Sequence, residues 1–149
     1  TRVRSSAASD VYKRQPFHLT TREFFDLARS HLAPGGVAVV NAGRTRTDYR
    51  LVGALASTMS ATFDQVYLLD VPAFSNTMIY GTTEATTTAD VRANLGLGQD
   101  PLWQEVASSA LGEGNLRLSD YHGQVFTDDL APVERLIDEI ILGYIQGGR

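Results

Sequence analysis

Apolar positions recur along this chain with changing periods, and the changes mark its elements. Thr20-Thr21-Arg22-Glu23 has the spacing of a capping box, with Thr20 capping the backbone and Glu23 reaching back. A helix is predicted to follow, with Phe24, Ala28 and Leu32 along one stripe and Phe25 beside it. Pro34-Gly35-Gly36 ends it, glycine supplying the left-handed conformation of a helix C-terminus. Val37-Ala38-Val39-Val40-Asn41 is apolar without alternation, as a strand buried on both faces of a parallel sheet reads. Asp48 is then placed to cap a second helix, in which Leu51, Leu55 and Met59 align, flanked by Val52 and Ala56.

Residues 65–71 (QVYLLDV) and 77–83 (TMIYGTT) read as two more strands. The connection between them is too short for a crossover helix, so they are predicted to pair antiparallel. Residues 86–99 are polar and read as loop with a short helix. Asp100-Pro101 has the N-cap and first-turn chemistry of another helix, burying Leu102, Trp103, Val106 and Ala110. Residues 112–123 are irregular. In the last helix, Val133, Leu136, Ile137, Ile140, Ile141 and Tyr144 form one face to be buried. Helix–strand alternation closing in an antiparallel edge hairpin predicts an α/β fold, the second half of a Rossmann-like parallel sheet.

Composition narrows the classes. At 149 residues the chain fills one ordinary domain, and its longest apolar runs are too short to cross a bilayer. With no cysteine there is no disulfide, thiolate nucleophile or cysteine metal site, which fits a cytoplasmic protein. A net charge of −4 gives no basic face for nucleic acid. The first fifteen residues differ from the rest, holding four of thirteen cations, one of seventeen acids and the only lysine, Lys13. They resemble translated adapter sequence at the end of a reading frame, the alternatives being a tail or a targeting peptide. Without residues 1–15 the net charge is −7.

The run Pro16-Phe17-His18-Leu19-Thr20-Thr21-Arg22-Glu23-Phe24-Phe25, then Leu32-Ala33-Pro34-Gly35-Gly36-Val37 and Asn41, resembles the spermidine/spermine synthase superfamily. Phe126-Thr127-Asp128-Asp129-Leu130-Ala131-Pro132-Val133-Glu134 is similar to an element near the C-terminus of the same proteins. The nearest likeness is to divergent bacterial members, often fused to membrane helices. The resemblance covers residue 16 to about residue 145 and implies the C-terminal half of a class I methyltransferase fold. It implies aminopropyl transfer from decarboxylated S-adenosylmethionine to a polyamine, and a possible homodimer in the parent protein. The glycine-rich cofactor loop and the ribose-binding acid of that family belong to the first half of the sheet, and this chain has no GxGxxG. Relatives carry a catalytic aspartate just before the segment matching residues 16–21. Asp10 lies in the adapter-like leader at too short a spacing, so no residue is assigned as catalytic, and this piece is expected to be inactive.

Five residues are candidates for substrate binding: Asn41, Phe74, Asp128, Asp129 and Glu134. Asn41 ends its strand where founding members carry glutamine, and either bonds an amine or nucleoside or caps a turn. Pro72-Ala73-Phe74-Ser75-Asn76 aligns with a diamine-binding Pro-x-Tyr-Pro loop of the family. Phe74 can pack on methylenes or a cation but donates no hydrogen bond, and a plain hairpin turn is the alternative. Asp128, Asp129 and Glu134 are expected at the start of the last helix, where acids favour the dipole. Capping takes only one of them, which leaves carboxylates to face an ammonium. His18, His31 and His122 lack ligand spacing, and Arg44 and Arg46 read as solvated loop charge or an anion contact. Competing functions are a methyltransferase-fold protein with another acceptor, and a non-catalytic binding domain.

Overall fold

The computed structural model of the protein describes residues 19–71, 75–112 and 114–147. Asp10, His18 and the start of the first motif lie outside them, as does the candidate Phe74 with Pro72 and Ala73. The elements are α1 (Arg22–His31), β1 (Val37–Gly43), α2 (Arg50–Ser60), β2 (Gln65–Val71), β3 (Asn76–Thr82), α3 (Thr88–Leu95), α4 (Pro101–Ala110), β4 (Leu116–Leu118) and α5 (Val133–Gly147). Their order follows the sequence pattern, with β4 added inside the stretch read as irregular.

The strands form one sheet in the order β1-β3-β2-β4, antiparallel at every pairing. This corrects the expected parallel sheet with its hairpin at the edge. The short β2–β3 connection forces antiparallel pairing, and the far side of β3 then satisfies the backbone of β1. β1 and β2 still point the same way, each being antiparallel to β3, and α2 links them. They form a helix-connected parallel pair with β3 intercalated.

One face of the sheet packs on α1, α2 and α5. Phe25, Val52, Leu55, Ala56 and Met59 are buried there against Val66, Leu68 and Ile79. A Cβ on Gly81 of β3 would stand 2.5 Å from the Phe63 ring, so only glycine lets the strand approach it. On the opposite face Tyr67, Leu69, Leu116 and Ala110 form a smaller cluster. Tyr67 is fully buried and donates its hydroxyl to the Thr86 carbonyl at 2.6 Å, which satisfies it.

β1 corrects a second expectation. Its residues alternate: Ala38, Val40 and Ala42 face the core, while Val37 and Val39 are 46% and 47% exposed. It is an edge strand of the described sheet, and the helices cover one of its faces only. The apolar stripes of the later helices also reach beyond the core. Trp103 is 42% exposed and Leu102 more so, although the Trp103 indole N–H donates to the Leu95 carbonyl at 2.7 Å. In α5, Val133 and Ile140 are buried, but Ile141 and Tyr144 are exposed, because α5 runs past the α2 surface that covers its first turns.

Candidate functional site

Helix starts and the ends of β1 and β2 place the polar groups. Thr21, not Thr20, is the N-cap of α1, accepting from the Phe24 N–H at 3.3 Å. Glu23 does not close a capping box: its carboxylate accepts from the Asp128 backbone N–H at 3.1 Å. Thr21 in turn donates its hydroxyl to the Asp128 carboxylate at 2.7 Å. The turn at residues 127–130, closed by a Thr127–Leu130 bridge, is thereby tied to the start of α1.

Asp128 and Asp129 are therefore not at the start of the last helix, as expected; only Glu134 lies in its first turn. Proline at 132 and the bridged turn separate the pair from it. Nor does the structure bring the acids to Asn41. Phe126, just before them, donates its N–H to Thr58 near the end of α2 at 3.0 Å. Asn41 stands at the end of β1, where α2 has yet to begin, and nine residues of helix span about 13 Å. Asn41 accepts from the Asn76 amide at 3.0 Å, across the β1–β3 ladder. This bond links the two strands toward the carboxyl end of β1.

At that same end lies a cluster that the sequence pattern does not announce. Asp70 near the end of β2 accepts from Thr77 of β3 at 2.5 Å through one oxygen. Its other oxygen accepts from Arg117 of β4 at 2.7 Å and from the Tyr49 hydroxyl, at the N-cap of α2, at 3.2 Å. Arg44, just after β1, pairs with Asp70 at 3.5 Å and donates to Thr77 at 3.1 Å. The Arg44 and Arg117 guanidinium carbons stand 4.7 and 5.9 Å from the centre of the Tyr49 ring. The side chains of Arg44 and Asp70 are only 8% and 12% exposed, that of Arg117 34%.

Burial pushes the Asp70 carboxyl up, but the hydrogen bonds from Arg117 and Thr77 and the two arginine charges outweigh it. The net effect holds the group below the usual carboxylate range. The Tyr49 phenol is pushed up, by burial first and then by the Asp70 charge. Arg44 is thus no solvated loop charge. The sequence did hold a signal: Asp70 is the one charged residue in QVYLLDV, and a buried carboxylate requires partners. Arg50, beside the cluster, is engaged separately by Asp48 at 2.8 Å and Glu139 at 3.2 Å.

Among the described residues no group of three or more His, Asp or Glu side chains is arranged to hold a metal. No helix among them is long and apolar enough to cross a membrane. His31 is exposed, its ring nitrogen 2.9 Å from the Leu27 carbonyl of its own helix.

Comparison with known proteins gives one similarity that bears on this site. A curated protein of Bifidobacterium longum (strain NCC 2705), named a probable polyamine aminopropyl transferase, is 31% identical over 149 aligned positions. The alignment takes in 85% of this chain and 33% of the relative, so the chain spans about a third of that protein's length. No family model matches the chain, and no solved structure matches it.

Proposed function

We propose that this chain is the C-terminal part of a transferase that moves an aminopropyl group from decarboxylated S-adenosylmethionine to a polyamine acceptor. The 31% identity over 85% of the chain to the Bifidobacterium longum protein carries the reading. The fold agrees with a half-sheet origin, since β1, α2 and β2 make a helix-linked parallel pair. Ligands of open α/β sheets bind at the carboxyl ends of such strands, the end at which Asn41 and the Asp70 cluster lie.

In the reaction a neutral amine attacks the aminopropyl carbon attached to the sulfonium. The carbon–sulfur bond breaks, its electron pair stays on sulfur, and the new ammonium releases a proton to a base. In this reading Asn41 would exchange its bond from Asn76 for one from the amine, and Phe74 would pack on the methylenes. No residue of this chain is assigned as that base or as the cofactor loop. In the assay, the full-length parent is given decarboxylated S-adenosylmethionine and putrescine, and spermidine is measured by mass spectrometry. Spermidine from the parent and none from this chain alone is the expected result. No product from the parent with any diamine would sink the transferase reading.

A non-catalytic binding domain of the same fold is the second reading. It draws on Asp70, whose oxygens are already engaged by Thr77, Tyr49 and two arginines and so are poorly placed to take an ammonium.

A further inference from the structure

At the end of the sheet expected to receive a polyamine, two guanidiniums share one carboxylate. Residues 16–149 hold nine arginines against sixteen acids. Yet Arg44 and Arg117 both pair with Asp70, and Arg50 pairs with Asp48 beside them. Arg50 is spoken for by Asp48 and Glu139. Among the described residues Asp70 alone faces the two guanidiniums that flank Tyr49, a local surplus of one positive charge.

The hydrogen bonds show where that surplus points. A carboxylate offers about four acceptor sites, and Asp70 has four donors around it. A guanidinium has five N–H groups in a fixed fork. Arg117 uses its Nη1 on Asp70 and on the Gly114 carbonyl, and its other two nitrogens have no partner among the described residues. Arg44 uses Nε and Nη1 and is held by Thr77, the Thr45 carbonyl and the Tyr49 face. Arg117 is thus anchored at one corner and a third exposed, its Nε and Nη2 edge without a partner among the described residues. A pre-positioned fork of this kind matches the two oxygens of an oxyanion and not an ammonium.

We infer that this site, formed by Arg117 with Arg44 behind it, takes the oxyanion group of a small molecule, a carboxylate or a phosphate. The inference does not rest on the aminopropyl reading. If both hold, the acceptor is an amine that also bears an anionic group.

The chain itself is titrated with succinate, inorganic phosphate, spermidine and, at matched ionic strength, sodium chloride, while arginine Nε–H and Tyr49 signals are followed by NMR. Saturable shifts at Arg117 and Tyr49 with succinate or phosphate are expected, and which of the two binds more tightly identifies the oxyanion. Arg117→Gln should weaken the binding about tenfold or more, the scale of one charged hydrogen bond. Arg117→Lys, which keeps charge but loses the fork, should fall between. Thermal melts of both variants show whether the fold survives, and a wild-type response no different from chloride overturns the inference without any variant. So does spermidine shifting the same signals. Glu113 is close in sequence to Arg117, and binding that appears only in Glu113→Gln overturns it too, because the chain's own carboxylate then fills the site. None of these outcomes depends on aminopropyl turnover.

Discussion

Asp70 and Asp128 each draw together segments far apart in the chain, and they do it by different physics. Asp70 is a largely enclosed charge: its partner Arg117, a third exposed, is 47 residues away, and Arg44 beside it is almost wholly enclosed. Asp128 sits at an exposed position and takes one neutral hydroxyl from Thr21, while its backbone bonds Glu23. Removing one member of a buried ion group leaves its partner charged without compensation. Losing Asp128 leaves behind only a neutral hydroxyl, that of the buried Thr21, which costs less than a stranded charge. Two acids with similarly long reach should therefore differ severalfold in what their loss costs.

The sharpest way to break that contrast is Asp70→Ala, which strands Arg44 and Arg117 together. A loss of about 3–5 kcal/mol is expected, measured by urea denaturation. A loss no larger than that of Asp128→Ala would end the distinction. The pH dependence gives the same test without mutation. The folded Asp70 carboxyl is held below its ordinary value of 3.8, so its stabilisation is complete above that value. It is lost as pH falls from there through the lower folded value, as the carboxylate takes up its proton. Asp48 and Asp90 are also held low, by Arg50 and Thr87 respectively, and act in the same window. The wild-type melting temperature should fall across that window more than that of Asp70→Ala, with Asp48→Asn and Asp90→Asn as controls.

Thr21→Ala tests the other assembly from its partner's side. It removes the N-cap of α1 and the hydroxyl bond to Asp128, for about 1–2 kcal/mol in the same denaturation experiment. Thr21→Ser should recover most of it, since the hydroxyl is what both bonds use. A loss as large as that of Asp70→Ala would mean that the α1 cap, not the charged cluster, is the tighter clamp.

The two assemblies were not equally legible. Elements were readable where local period decides them: β2 is found at residues 65–71 as QVYLLDV indicates, and Asp100-Pro101 opens a helix. Strand order was not, because nothing local to residues 76–82 says that β3 will lie between β1 and β2. The run at Val37–Val40 tells that both faces are apolar, and not that only one is covered. Asp128 stood out because it falls in a family-like motif, yet its motif neighbours suggested a helix start that lies at residue 133. Asp70 was visible as a charge in an apolar strand, but Arg44 and Arg117 come to it through sheet pairing, which a single sequence does not display. Phe74 lies outside the described residues and receives no structural account.

The finest test separates two adjacent carboxylates. Asp128→Ala loses the acceptor for the Thr21 hydroxyl, while the bond from its backbone N–H to Glu23 remains, and about 1 kcal/mol is expected. Asp129 is exposed and has no side-chain partner among the described residues, so Asp129→Ala should stay within about 0.5 kcal/mol of the parent chain. Among the described residues, one acid of the pair is tied to the fold and the other has no side-chain partner. If Asp129 holds an ammonium of the acceptor, its alanine variant in the full-length protein raises KM for the polyamine with stability unchanged. A stability loss at Asp129 equal to that at Asp128 would place both in the clamp on α1 and leave no spare carboxylate in the motif.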